Sequence, residues 1–231
     1  MFTFQASVEP LNSSETTRTL IMDGCVAAGY TGRDQASVKE HIEELKKLGV
    51  PTPYTIPALY WISPDRLTWQ SQIQVVGDQT SPEVEFFIAA DSDGTLYVTI
   101  ASDHTDRELE TVSVSKSKQV CDKVLGDKFW CVDDVAEHWN KIEISSRVLH
   151  DGNWLAYQVG ALERIMHYED LLLLVKDDDP DINAPGLLSG TLPIIDGETR
   201  YTSACEMTMT DPILDRSIVK SYEIVVRADR S

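Results

Sequence analysis

Residues 82–107 read PEVEFFIAADSDGTLYVTIASDHTDR, and this stretch decides the fold. Two β-like runs, 84–89 and 96–101, flank Asp91-Ser92-Asp93-Gly94, four residues that favour a hairpin turn. Side chains alternate along a strand, so Glu83 and Glu85 share one face while Val84 and Phe86 share the other. If the runs pair across the turn, Asp103 leaves the second strand within reach of that glutamate face. Three carboxylates with no Cys or His partner select a hard dication, Mg²⁺ or Mn²⁺, over Zn²⁺. Water and a bidentate substrate would complete the octahedron. Taken alone, the E-x-E fragment also fits a half-exposed strand with two solvated glutamates, and Asp103 also fits a cap on a following helix.

Working outward, further β-like runs lie at 72–76, 142–149, 154–158, 203–210 and 218–226, with a strand near 20–22. Asp151-Gly152-Asn153 and Asp211-Pro212 supply turns. The strongest helical pattern is 34–48, DQASVKEHIEELKKL, with Val38, Ile42, Leu45 and Leu48 at helical spacing. Asp34 can cap its start, and Gly49 followed by Pro51 stops it. Shorter helical segments are expected at 132–139, 161–166 and 169–175, and KDDDPDINAPG reads as a surface loop. Many short strands with few helices make a β-rich α+β fold. We expect one domain over 1–231, with 1–50 as an N-terminal arm and lid-like helix and 51–231 as the β core. Trp61, Trp69 and Trp154 are expected in the core or a dimer interface.

The chain has 20 basic against 38 acidic residues, a formal net charge of −18. That argues against nucleic acid, whose binders need a basic surface, and against electrostatic docking on anionic lipid. No run approaches the ~20 apolar residues of a membrane span. The start lacks a basic segment followed by an apolar one, so no secretory signal is expected. The four cysteines, Cys25, Cys121, Cys131 and Cys205, have no metal-site spacing and read as reduced, mostly buried thiols. The expected compartment is the cytoplasm.

The order Glu83-x-Glu85, then Ser102-Asp103 with Arg107, then Ser117-Lys118, resembles the fumarylacetoacetate hydrolase superfamily. Its members usually read E-x-E, then N-D-x-S-A-R-D, then G-K-S. Pro185 to Pro193, PGLLSGTLP, is similar to the family's P-G-D-x-x-x-T-G-T-P loop. His41 with Glu44 resembles the H-x-x-E pair on a lid-like helix. The resemblance spans about residues 30–193 in consistent order and is closer still to an uncharacterised branch, a domain of unknown function. The chain departs from the pattern at several points. No glycine precedes Lys118, Glu108 follows Arg107, Leu187 replaces the loop's Asp, and an insertion separates Arg33 from His41.

The resemblance implies a rolled, mostly antiparallel β structure and a homodimer. It implies Mg²⁺ or Mn²⁺ on Glu83, Glu85 and Asp103, chelating a 2-oxo acid or β-dicarbonyl substrate. The reaction implied is C–C cleavage, by hydrolysis or decarboxylation, through a metal-stabilised enolate. Hydration, dehydration or keto–enol isomerisation on the same kind of substrate is the alternative, and a non-catalytic small-molecule-binding or interaction protein is another. His41 and Glu44 share a helical face and would move protons, although an exposed surface pair fits them equally. Lys118 would stabilise an oxyanion. Arg107 would hold the substrate carboxylate or the ligand carboxylates, and Gly190 and Thr191 would bind substrate. Strand alternation directs His104 away from the site, and Lys116 and Lys123 are expected to be solvated.

Overall fold

The computed structural model describes residues 1–11, 14–47 and 49–230, and for His41 and Leu45 the backbone alone. Leu48, the last position of the expected helical stripe, lies outside the described residues. The strands are β1 (Phe2–Val8), β2 (Thr16–Met22), β3 (Gly24–Gly29), β4 (Ala58–Ile62), β5 (Leu67–Thr68), β6 (Gln72–Val76), β7 (Thr80–Ser81), β8 (Val84–Asp91) and β9 (Leu96–Asp103). They continue with β10 (Thr105–Asp106), β11 (Lys123–Leu125), β12 (Lys128–Cys131), β13 (Glu143–His150), β14 (Asn153–Ala161), β15 (Pro185–Leu188), β16 (Ala204–Asp211) and β17 (Arg216–Arg227). The helices are α1 (Gln35–Lys47), α2 (Arg107–Glu110), α3 (Val114–Val120) and α4 (Tyr168–Asp178).

Ten strands form one sheet in the order β4-β3-β15-β8-β2-β1-β12-β9-β11-β5, and β8 also pairs with β9. That extra pairing closes β8, β2, β1, β12 and β9 into a ring, so the sheet is a roll. A second sheet, β14-β13-β16-β17-β6, packs against it. Pairings are mostly antiparallel, as expected of the β-rich α+β fold.

Alternation along β8 and β9 divides the core. Val84, Phe86, Ile88, Val98 and Ile100 face the five-stranded sheet and meet Ile144, Val148, Met207 and Met209. Phe87, Ala89, Tyr97 and Ala101 point into the roll with Leu20, Met22 and Leu188. Both faces of the hairpin are therefore apolar and buried, and both sheets depend on it.

Several local expectations are corrected. Residues 1–29 form no arm: β1, β2 and β3 are internal members of the ten-stranded sheet. The stretch 132–139 forms two 3₁₀ turns, Val132–Asp134 and Ala136–Lys141, broken at His138, and 161–166 contains only the turn Leu162–Arg164. The expected loop 176–186 is shorter than read: 179–184 form it, while α4 runs on to Asp178 and β15, parallel to β3, starts at Pro185. Trp69 packs against the core as expected; Trp61 and Trp154, at 37% and 42% exposed, are not core residues, and the buried tryptophans are Trp130 and Trp139.

Helix α1 starts as its sequence dictates. Asp34 accepts the Ala36 N–H at 3.0 Å, Val38 and Ile42 are buried, and Gly49 follows with φ of 90°.

Candidate metal centre

The register of the central hairpin builds the site. Val84 lies opposite Ser102 and Glu85 opposite Ala101, and the Asp103 N–H donates to the Glu83 carbonyl at 3.0 Å. Glu83, Glu85 and Asp103 therefore share the face that points into the roll, at the end where its apolar lining stops. One carboxylate oxygen from each lies within 4.8 Å of the others. Glu85 and Asp103 are fully buried and Glu83 nearly so. The competing role for Asp103 belongs to Asp106, which caps α2 by accepting the Leu109 N–H at 2.8 Å.

Like charges opposed across a strand pair repel, and three cations offset them here. Arg107 donates from Nη2 to Glu83 Oε1 at 2.9 Å, from Nη1 to Glu110 and from Nε to Ser81 at 2.7 Å. Lys118, presented by α3, donates to Glu83 Oε2 at 3.0 Å and to Asp103 Oδ2 at 2.5 Å. Lys123 is fully buried, because β11 pairs with β9 and puts Lys123 opposite Asp103. Its Nζ lies 2.7 Å from Asp103 Oδ1 but donates in another direction, to the His104 carbonyl at 2.6 Å. This corrects the expectation that Lys123 is solvated. Asp103 Oδ1 is thus held by the Lys123 charge without a well-directed hydrogen bond, and Glu85 Oε1 is buried with no hydrogen bond among the described residues.

Burial raises the Glu83 carboxyl, but Arg107 and Lys118 together outweigh it and hold the group well below the usual carboxylate range. Glu85 goes the other way: burial first, then the Asp103 charge, pushes it well above that range. Lys118 loses solvation on burial, yet Asp103, Glu83 and Glu85 keep its ammonium charged.

The loop after β15 supports the centre. Gly190 donates its N–H to Glu85 Oε2 at 2.9 Å, with φ of 84°. Ser189 hydrogen-bonds both backbone groups of Phe86, and Thr31 donates to the Ser189 carbonyl at 2.7 Å. The Thr191 hydroxyl donates to the Val84 carbonyl at 2.9 Å and accepts from Gln158 at 2.7 Å. Arg107, by contrast, is engaged by protein partners, its fork closed on the Glu83 carboxylate and on Glu110.

Glu44 lies on the exposed side of α1, and the His41 side chain lies outside the described residues. His104 points away from the site, its Nε2 2.9 Å from the Thr80 hydroxyl and its Nδ1 3.1 Å from the Tyr222 hydroxyl. Lys123 was misread in the sequence as solvated, and Glu110, Tyr30 and Tyr60 went unread. All four reach the site through pairings between distant segments or a short helix, and no local pattern announces them.

A divalent cation fits these residues. The donor set is all-oxygen, converges within 4.8 Å, and contains one buried carboxylate oxygen, Glu85 Oε1, that no hydrogen bond satisfies. Glu83, Glu85 and Asp103 would hold it.

Structural comparison places the chain close to Cg1458, with a TM-score of 0.64 at 15% identity, covering 94% of this chain and 83% of that one. A 2-keto-3-deoxy-D-arabinonate dehydratase complexed with magnesium and 2,5-dioxopentanoate matches with a TM-score of 0.64 at 17% identity, over 92% and 77% of the two chains. The 4-oxalocrotonate decarboxylase from Pseudomonas putida G7, complexed with calcium and acetate, gives 0.52 at 12% identity, over 89% and 78%. No curated protein matches by sequence. Such neighbours show a shared fold, that of the fumarylacetoacetate hydrolase superfamily. A family model described as a protein of unknown function, DUF2848, matches residues 28–222. With most of its length inside that match, the chain belongs to the DUF2848 family and carries the fumarylacetoacetate hydrolase fold.

Proposed function

We propose that this protein is an Mg²⁺- or Mn²⁺-dependent enzyme that cleaves a C–C bond in a 2-oxo acid or β-dicarbonyl compound, by hydrolysis or decarboxylation. The observation that carries this reading is the convergence of three carboxylates, one oxygen of each within 4.8 Å of the others, with the buried Glu85 Oε1 left without a hydrogen bond. When bound, the cation supplies a Lewis acid for the carboxylate and keto oxygens of such a substrate and for the negative charge that develops in the reaction.

The chain's own residues supply the rest. Arg107 and Ser81 fix Glu83 in one orientation, and Gly190 does the same for Glu85. Lys118 Nζ is a charged donor already inside the site, suited to an anionic oxygen. Phe87, Ala101 and Leu188 close the floor and exclude water, which strengthens every interaction above it. On the resemblance, His41 with Glu44 is assigned the proton transfer and the protein is assigned a homodimer, while the cytoplasmic setting rests on the sequence reading, in which the cysteines are reduced and no secretory signal is expected. Dehydration is the second reading, favoured by the likeness to the dehydratase complexed with magnesium and 2,5-dioxopentanoate.

The test is turnover by chelator-treated protein resupplied with Mg²⁺ or Mn²⁺. Oxaloacetate, an acylpyruvate and a 2-keto-3-deoxy sugar acid separate decarboxylation, hydrolysis and dehydration. One substrate should turn over only with metal, and Glu85→Gln should lower its kcat/KM by about 100-fold or more. Metal-independent turnover rejects the metal-dependent reading, and no turnover with any of the three leaves a binding protein that retained the fold.

A further inference from the structure

The three cations of the cluster are not equivalent. Arg107 joins Glu83 to Glu110, and Lys118 reaches in from α3 to bridge Glu83 and Asp103. Lys123 belongs to the sheet itself. β11 runs antiparallel to β9, with Lys123 opposite Asp103, Val124 opposite Ser102 and Leu125 opposite Ala101. Partners across a strand pair share a face, so Lys123 joins Asp103 on the side turned into the roll, where Ala101 and Leu125 pack among apolar neighbours. The other edge of β11 is covered as well, because β5 pairs with it and sets Leu67 beside Lys123. The lysine side chain is wholly buried.

A lysine walled in this way cannot swing aside when an ion arrives. Its Nζ donates to the His104 carbonyl at 2.6 Å, a backbone group at the strand end, and stands 2.7 Å from Asp103 Oδ1. Lys118 takes the other oxygen of Asp103 at 2.5 Å. Asp103 thus faces an ammonium at each oxygen, whereas Glu85 accepts one N–H, from Gly190, and keeps Oε1 free. A dication on Asp103 would share that carboxylate with a fixed positive charge, and buried like charges repel with little screening by water or salt. Stapling β9 to β11 does not by itself call for a lysine, since apolar side chains of similar volume often serve as well as a buried ion pair.

We infer that Lys123 is a resident counter-cation, which neutralises part of the Asp103 charge and so holds down the affinity of the cluster for a divalent cation. The metal then exchanges with solution instead of locking into the fold. The role rests on the metal-dependent reading above. Lys123 is a positioning residue, acting through Asp103, and Lys118 remains the donor for an anionic oxygen.

The test is calorimetric titration of Mg²⁺ into chelator-treated protein, with thermal melts in parallel. Lys123→Gln removes the charge but can still donate to the His104 carbonyl, and Lys123→Met removes both. Each should bind Mg²⁺ about tenfold more tightly than wild type, or better. Each should also melt lower than wild type without Mg²⁺, because Asp103 loses a partner, and gain more in Tm when it is added. A purely structural ion pair predicts the lower melt without the tighter binding. Equal or weaker Mg²⁺ binding in either folded variant therefore overturns the counter-cation role alone. Variants that both stay unfolded in saturating Mg²⁺ overturn it too, by making Lys123 indispensable to the fold. A wild type that binds no Mg²⁺ removes the metal-centre reading, and the Lys123 role with it.

Discussion

Asp103 and His104 are neighbours on one strand end, and alternation sends them to opposite faces of the sheet. Asp103 joins the carboxylate cluster, while His104 is fully buried between Thr80 and Tyr222. Burial first, then Lys123 and Arg107, pushes the His104 imidazole down to about 3. In the unfolded chain it titrates near 6.5. Between these values acid protonates only the unfolded chain, so the stabilisation from a neutral His104 is complete above about pH 6.5 and is lost as pH falls toward 3. A dication at the cluster acts in the same sense. Thermal melts between pH 7 and 4 should therefore show a steeper loss of Tm in wild type than in His104→Gln, which keeps polar contacts but cannot titrate. Parallel curves would relocate the acid sensitivity to the carboxylates. The same alternation made Glu83, Glu85 and Asp103 legible, because the period of two and one short turn are local information. Lys123 was illegible for the opposite reason: it meets Asp103 only because β11 returns to pair with β9.

At the scale of elements, the parts that folded as read are those that carry their own boundaries. The β8–β9 hairpin has its Asp-Gly turn, and α1 has its Asp34 cap and Gly49 stop. The parts misread draw their structure from partners far away in sequence. β15 is a strand because β3 lies parallel beside it and β8 antiparallel on its other edge, while its Pro and Gly locally suggest a loop. Its continuation, the Ser189–Thr191 loop, is held at Gly190 by a left-handed turn pressed against Thr31 and 3.0 Å from the Ala28 carbonyl, measured from where a Cβ would stand. Gly190→Ala thus meets both a disfavoured φ and a backbone oxygen that cannot move aside. The expected cost is about 1–3 kcal/mol, a fall in Tm of roughly 2–4 °C per kcal/mol, with weaker Mg²⁺ binding because the N–H that orients Glu85 is displaced. Differential scanning fluorimetry and calorimetry read the two effects. Unchanged Tm and Mg²⁺ affinity would show that the loop can shift without consequence.

For the whole molecule, the decisive fact is that all three carboxylates of the cluster sit on the hairpin that both sheets use. β8 and β9 close the roll with one face and carry the shared core with the other. Binding energy delivered to Glu83, Glu85 and Asp103 is therefore delivered to the cooperative unit rather than to a loop that opens independently. A cation there would also satisfy Glu85 Oε1 and offset the repulsion between the facing acids. A ligand that binds only the native state stabilises by about 2.7 kcal/mol at 100 times its Kd, which for a chain of this size is a rise in Tm of roughly 5–10 °C. Melts in increasing Mg²⁺ should keep a single transition whose midpoint climbs with the logarithm of concentration, and chelator should reverse the climb. A net charge of −18 also attracts dications diffusely, so the specific term needs isolating. In about 0.5 M NaCl the diffuse attraction is screened while the buried site is not, and Glu85→Gln should then lose the shift that wild type keeps. A shift of equal size in both proteins would place the ion on the acidic surface and leave the cluster a structural knot of carboxylates tied by Lys118, Lys123 and Arg107.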